Sequence, residues 1–333
     1  MILTGDLHLT DRARDEYRWK VFDQLIDAAK QNESIVILGD ITDKKDKHTA
    51  KLVNRVSDEV LRLADHTDVW ILKGNHDYLD EDVPFFRFLN EMPGVHYVVK
   101  PGLHAVDWCR IQFLPHTFNP KKAWDVLPDI GKADYVFAHQ TFAGAVSSTG
   151  QSLSGVGTTF LADRHSYDGR VYSGDIHVPQ DIGPVTYVGT PYPVAFGDEY
   201  DCRLIRLNRK GQQVDLPLDN IRKHTIELLA VEDFIAGDYN EGDQLKIKLK
   251  IRRSEFGEAQ QMMKEIRTMA ESYGLKIFGF KLEERKLRKR KRFKSAPDVT
   301  ETPADTLKRF CKMEGIDKAL VEHGQQLLNE SAQ

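Results

Sequence analysis

Ile35-Val36-Ile37-Leu38-Gly39-Asp40-Ile41-Thr42-Asp43 opens as an unbroken apolar run and stops on a glycine and a carboxylate. A short aliphatic stretch with no polar side describes a strand buried on both faces, as in a parallel sheet. The same pattern occurs on either side of it. Ile2-Leu3-Thr4-Gly5 leads into Asp6-Leu7-His8, and Val69-Trp70-Ile71-Leu72-Lys73 leads into Gly74-Asn75-His76-Asp77. The polar residues should therefore emerge together at the carboxyl ends of neighbouring strands, where open α/β sheets place their active sites. Between the runs, apolar residues recur at helical spacing. Trp19, Phe22, Leu25, Ile26 and Ala29 predict a helix over 16–30; Leu52, Val53, Val56, Val60, Leu61 and Leu63 predict one over 49–64. Together these make a βαβαβ unit.

From residue 95 to 207 the pattern changes to short strands, expected at 95–99, 110–114, 135–138, 170–173, 185–188 and 202–207. Two more metal-type segments fall there, His139 and Asp175-Ile176-His177. The Gly- and Ser-rich stretch 142–157 reads either as a mobile loop beside His139 or as a surface insertion. Past 212 a second unit is expected. Leu245, Ile247, Leu249 and Ile251 alternate with Lys246, Lys248, Lys250 and Arg252, a half-buried strand with a cationic outer face. A helix over 254–273 and a strand over 275–282 complete a small α+β domain. Residues 285–294, of which eight of ten are Lys or Arg, begin a linker. Leu307, Phe310 and Cys311, then Leu320, Val321, Leu327 and Leu328, mark two short amphipathic helices that favour a partner. The expected domains are 1–212, 213–284, a basic linker 285–303 and a helical tail 304–333.

The 333 residues are 41% hydrophobic and 29% charged, enough for one large domain and a smaller one. No run of about 18 apolar residues exists, which excludes a transmembrane helix. A chain that starts on a strand leaves no room for a cleaved leader, so a cytoplasmic location is expected. Cys109, Cys202 and Cys311 lack metal-type spacing, so any metal must be held by oxygen and imidazole. The net charge of −4 neither favours nor excludes nucleic acid, because its distribution matters more than its sum.

A phosphodiester resists water because its oxygens repel the nucleophile and the leaving alkoxide is poor. Two divalent cations about 3.5–4 Å apart answer both problems. Such a pair needs a shared carboxylate, and Asp40, between the other motifs, is the expected bridge. Asp6, His8 and His177 would complete one site; Asn75, His139 and Asp175 the other. Mixed carboxylate, amide and imidazole ligation suits manganese above all, with magnesium, iron or zinc as alternatives. His76 is placed to protonate the leaving oxygen, with Asp77 orienting its ring. An Asp-x-His alone is a strand-end cap and an Asn-His-Asp alone a turn; the ordered set of five segments is what argues for chemistry. Asp43 and Asp46 read as a solvated polar loop, Asp43 alternatively as a support for the site. His48, His66, His96, His104 and His323 read as surface or structural residues. His116 and His165 stay open.

With these residues placed, the chain resembles the calcineurin-like metallophosphoesterases, whose pattern is Asp-x-His, Gly-Asp-x-x-Asp, Gly-Asn-His-Asp, His and Gly-His-x-His. Asp6 to His8, Gly39 to Asp43, Leu72 to Asp77, Asp134-Tyr135 before His139, Gly174 to Gln180 and Gly189-Thr190-Pro191 are similar to the SbcD-type nuclease subunits of double-strand-break repair complexes. The length is like that of bacteriophage-encoded versions. The resemblance implies a four-layer α-β-β-α sandwich with a small α+β capping domain and a helical tail that binds a coiled-coil ATPase. It also implies ligation by Asp6, His8, Asp40, Asn75, His139 and His177, an acid role for His76, and a dimer of nuclease subunits within a heterotetramer, built on the helices after Asp43 and Asp77. Asp175 departs from the pattern, which has His there; a carboxylate can still bind, or the second site is apo-like.

The function implied is a two-metal DNA exonuclease and endonuclease acting in end processing, recombination and repair. Lys246, Lys248, Lys250 and Arg252 and the basic run suit a phosphate backbone. A small-molecule phosphodiesterase or phosphatase, or a scaffold with a degenerate metal site, are the alternatives.

Overall fold

The computed structural model describes residues 1–30, 32–285, 305–308, 311, 320–323 and 326. The chain divides into two units, Met1–Glu284 and Arg285–Gln333. In chain order the first unit carries strands β1 Ile2–Thr4, β2 Ile35–Ile37, β3 Val69–Leu72, β4 Val95–Val98, β5 Gly102–Val106, β6 Cys109–Leu114, β7 Tyr135–His139 and β8 Val171–Gly174. β9 Gln180–Ile182, β10 Val185–Tyr187, β11 Arg203–Leu207, β12 Gln213–Pro217, β13 Lys223–Leu228, β14 Gln244–Ile251 and β15 Lys276–Glu284 follow. Its helices are α1 Val21–Ala28, α2 Ala50–Ala64, α3 Pro120–Ala123, α4 Phe160–His165 and α5 Ala259–Ser272.

Two six-stranded sheets run in the orders β12-β11-β1-β2-β3-β4 and β5-β6-β7-β8-β10-β9. Strands β1 to β4 are mutually parallel, as are β6, β7, β8 and β10, while antiparallel strands close every edge except that of β4. The alternation of β2 explains the stacking. Ile35 and Ile37 face one way, into a core with Phe22 and Leu25 of α1 and Val56, Val60 and Leu63 of α2. Val36 and Leu38 face the other way, into the core shared with Phe113, Phe137 and Tyr172 of the second sheet. The second sheet's outer face packs Val136, Val171 and Val185 against Trp124 and Leu161. Helices, sheet, sheet and helices form the four-layer α/β sandwich. Each of these aliphatic side chains, fully withdrawn from water, contributes about 1.5–3 kcal/mol.

Local departures from expectation have physical causes. Residues 16–20 are not α-helical; Ala13–Lys20 is a 3-10 segment in which Asp15, Tyr17, Arg18 and Trp19 are all buried, a pattern too dense for one face of an α-helix. Thr49 starts α2, its Oγ1 accepting the Leu52 N–H at 3.1 Å. β12 continues the first sheet through a ladder with β11, so the expected boundary after 212 falls before this sheet's last strand.

The third sheet, β13-β14-β15, is parallel throughout and covered by α5. Leu245, Ile247, Leu249 and Ile251 of central β14 are buried and the lysines face outward. α5 begins at Ala259, not 254, and Tyr273 at its end is exposed. In the second unit 305–308 and 320–323 are helical. The basic run from 286 onward, and most of the tail including Phe310, Leu327 and Leu328, lies outside the described residues. Among the described residues no helix is long and apolar enough to cross a membrane.

Candidate metal centre

Every predicted ligand lies at or just beyond a strand's carboxyl end: Asp6 and His8 after β1, Asp40 after β2, Asn75 after β3, His139 closing β7, Asp175 and His177 after β8. The loops turn inward through unusual backbone. Asp6 (φ 55°), His8 (φ 42°), Asp40 (φ 56°) and Asp175 (φ 82°) all occupy the left-handed region that side chains other than glycine's rarely adopt. Such strain collects where a site overrides local preference. Two glycines allow the loops to nest. A Cβ on Gly39 would lie 2.3 Å from His139 Nδ1, and one on Gly74 would lie 2.2 Å from Asp40 Oδ1.

Asp40 sits in the middle. Its Oδ2 is 3.6 Å from His8 Nε2, its Oδ1 is 3.5 Å from His139 Nε2, and Oδ1 also accepts the His76 N–H at 2.7 Å. On one side His8 Nε2 faces His177 Nε2 at 3.1 Å, and Asp6, His8 and His177 converge closely enough to share an ion. On the other, His139 Nε2 faces Asn75 Oδ1 at 3.4 Å and Asp175 Oδ1 at 3.9 Å. Asp6, Asp40 and His139, and His8, Asp40 and His76, also form groups able to hold a metal. Asp175 belongs to none of these groups; its Oδ1 lies 3.4 Å from Asn75 Nδ2, its Oδ2 takes the Thr141 hydroxyl, and its backbone N–H reaches Asp6 Oδ1 at 3.0 Å.

The electrostatics fit a cation. Burial pushes Asp6 well above the usual carboxylate range, with Asp40 and Asp175 adding to the rise and His139 opposing it. Burial lowers both His8 and His177; neighbouring imidazoles deepen the fall at His8, while at His177 the Asp198, Asp40 and Asp175 carboxylates oppose it. His139 is lifted to about 9; burial works against this and the Asp40, Asp6 and Asp175 carboxylates outweigh it. Buried Asp6 and Asp40, half-buried Asp175 and the imidazoles of His8, His177 and His139 face one space and could hold divalent ions, with Asp6, His8 and His177 on one side of Asp40 and Asn75 and His139 on the other. Divalent cations bound there would neutralise phosphoryl charge and make water acidic.

Asp77 has a different job from the one predicted. Its buried carboxylate accepts N–H bonds from Asp40 (3.0 Å), Ile41 (3.1 Å) and Gly74 (2.7 Å), and so ties the second motif to the third. It does not orient the His76 ring. That ring sits with Nδ1 2.9 Å from the Asp43 carbonyl oxygen, which directs Nε2 away from that carbonyl. Other supports lie outside the predicted set: the Leu38 carbonyl at His139 Nδ1, the Thr141 hydroxyl, and buried Arg18, which donates to the His8 carbonyl while paired with Asp15. Thr141 lies two residues past His139 and could have been found from that proximity; Arg18 sits in a helix-like stretch and could not.

Lys246, Lys248, Lys250 and Arg252 line the outer side of β14, but not all are free charges. Glu227 on β13 pairs Lys248 at 3.5 Å and Lys250 at 2.5 Å, and Arg252 lies 3.8 Å from Glu255. Exposed Lys246 sits 4.3 Å over Phe196.

His116, open from sequence, is a buried neighbour of the site. Its Nδ1 pairs with the Tyr78 hydroxyl at 2.7 Å and its ring centre lies 6.0 Å from that of His139. Burial, reinforced by His139 and nearby lysines, lowers it to about 3. The folded state therefore refuses a proton that the unfolded chain accepts near pH 6.5, so its stabilising contribution is complete above that pH and is lost as pH falls toward 3. In that window the parent should lose about 1.4 kcal/mol per pH unit more than a His116→Gln variant, measured by chemical denaturation at pH 6 and 4.5. Equal slopes would show that His116 takes its proton in the fold.

Residues 1–179 match the calcineurin-like phosphoesterases over more than half of the chain. The chain belongs to that family. Among curated relatives, exonuclease subunit 1 of enterobacteria phage T4 is 26% identical over 213 residues, covering 60% of this chain and 61% of that protein. The match thus spans about three-fifths of the relative's length. A solved structure of an archaeal phosphodiesterase aligns over 66% of this chain and all of its own, at 12% identity and a TM-score of 0.37. Phosphoesterases of this family use divalent metals, and the Asp and His groups described above could bind them.

Proposed function

We propose that this family member is a two-metal DNA nuclease, an exonuclease and endonuclease that works as the SbcD-like subunit of a complex with a coiled-coil ATPase in DNA end processing and repair. The observation that carries the reading is Asp40, whose two oxygens face His8 on one side and His139 on the other, the placement a shared ligand needs. Asp6, His8 and His177 would hold one cation, Asn75, His139 and Asp175 the other, with manganese the expected metal. His76 is the proton donor to the leaving oxygen, held by Asp43. Similarity to a phage exonuclease subunit supports DNA as the substrate. Lys246 over Phe196 and Arg14 4.8 Å over Phe278 offer cations beside aromatic rings on the third sheet's side of the unit. The tail 304–333 is the proposed ATPase contact. Exposed Leu79, Val83 and Phe88, after Asp77, support a homodimer.

End-labelled duplex DNA incubated with manganese or magnesium should be cut by the parent. His76→Ala should bind the DNA and fail to cut it, and DNA binding should weaken steeply with salt. Hydrolysis of a chromogenic phosphodiester without any cutting of DNA would instead favour a small-molecule enzyme.

A further inference from the structure

Beside the metal centre stands an aromatic platform that the chemistry above does not use. Phe118 is 67% exposed, unusual for so large an apolar side chain. It packs edge-on to buried Tyr78 at 5.5 Å between ring centres and edge-on to His116 at 5.6 Å. The Lys45 ammonium lies 5.9 Å from both the Tyr78 and the Phe118 ring centres. All three supporting loops grow out of the catalytic region. Lys45 is two residues past Asp43, whose carbonyl holds His76; Tyr78 is two residues past His76; His116 packs against His139. Two ring-to-ring steps, 6.0 and 5.6 Å, thus separate His139 from an open aromatic face with a cation at its edge.

Resting on the nuclease reading, we infer that Phe118 and Lys45 form a subsite for an unpaired nucleotide next to the scissile phosphate. Phe118 stacks its base, and Lys45 contacts its phosphate. Every base has a π-face and every nucleotide a negative phosphate, so a rigid ring beside an ammonium matches single-stranded DNA without reading its sequence. Tyr78 and His116 fix the platform in advance, so little ordering is required on binding.

The test compares kcat/KM, with manganese, for a single-stranded oligodeoxythymidylate and for an oligomer of abasic deoxyribose phosphates of equal length and charge. The parent should prefer the thymidylate by about tenfold, the size of one base-aromatic stack. Phe118→Ala should lose that preference with its abasic rate and thermal stability unchanged, and Phe118→Tyr should keep it. Lys45→Met should slow both substrates. An unchanged preference in Phe118→Ala overturns the stacking role. So does an equal loss on both substrates, or a change in oligomeric state by light scattering, either of which would make Phe118 an interface residue. A parent that cuts duplex DNA but neither oligomer overturns the subsite alone; one that cuts no DNA overturns the nuclease reading, and the subsite with it.

Discussion

Replacing Asp40 by Ala should lower kcat/KM for any phosphodiester on the order of a thousandfold, about 4 kcal/mol of transition-state stabilisation. The side chain is 3% exposed and makes three approaches that no neighbour can replace, to His8, to His139 and to the His76 N–H. Asp40→Asn separates the roles. It keeps an acceptor for the His76 N–H but removes the charge. If the charge is what matters, the Asn variant should be as inactive as Ala and should bind fewer than two metal equivalents by calorimetry. In chelator two effects oppose each other: the Asn variant loses Asp40's attraction for His139 but relieves its repulsion on Asp6 and Asp77, each raised first by burial. Removing that repulsion relieves a cost the fold carries for function. An Asn variant that retains turnover and a full metal complement would remove Asp40 from the bridge.

That trade also explains which features were legible in the sequence. The strands β1, β2 and β3 are short runs with both faces buried, and their polar ends read directly because hydrophobic runs seldom stop so abruptly on Asp or Asn. All seven predicted ligand positions, Asp6, His8, Asp40, Asn75, His139, Asp175 and His177, come into one space. β14 was equally plain, since a sheet with one wet face imposes strict alternation. β5 was not, because at an edge, with Leu103 and His104 only half-buried, it carries no periodic signal. Carbonyls leave no trace either, so the Asp43 and Leu38 contacts to His76 and His139 could not be read from residue types. Asp77 misled for the opposite reason. Adjacency in sequence suggested a partner for His76, whereas the turn points its carboxylate back at the backbone of Gly74, Asp40 and Ile41.

Asp175→Ala should reduce kcat/KM with manganese about a hundredfold, the upper range for loss of a residue that orients or completes a metal site, and Asp175→His should restore it to within about tenfold of the parent. The reasoning starts from Asn75. Its amide oxygen faces His139 Nε2 at 3.4 Å while its amide nitrogen faces Asp175 Oδ1 at 3.4 Å. An amide so placed can present oxygen to a cation only while an acceptor holds its nitrogen, and Asp175 is that acceptor, itself fixed by the Thr141 hydroxyl. Its carboxylate lies close enough to His139 to ligate as well. Alanine removes both contributions. Histidine can supply a donor nitrogen in the same left-handed turn, at a backbone position already strained in the parent. Metal counting separates ligation from orientation. A second equivalent lost in Ala and regained in His marks Asp175 as a ligand. Two equivalents retained in Ala, with slow turnover, mark it as the group that orients Asn75. Parent-like turnover in the Ala variant would leave it neither role and shift the second site onto Asp6, Asp40 and His139 alone, a group whose atoms already lie close enough together to hold an ion.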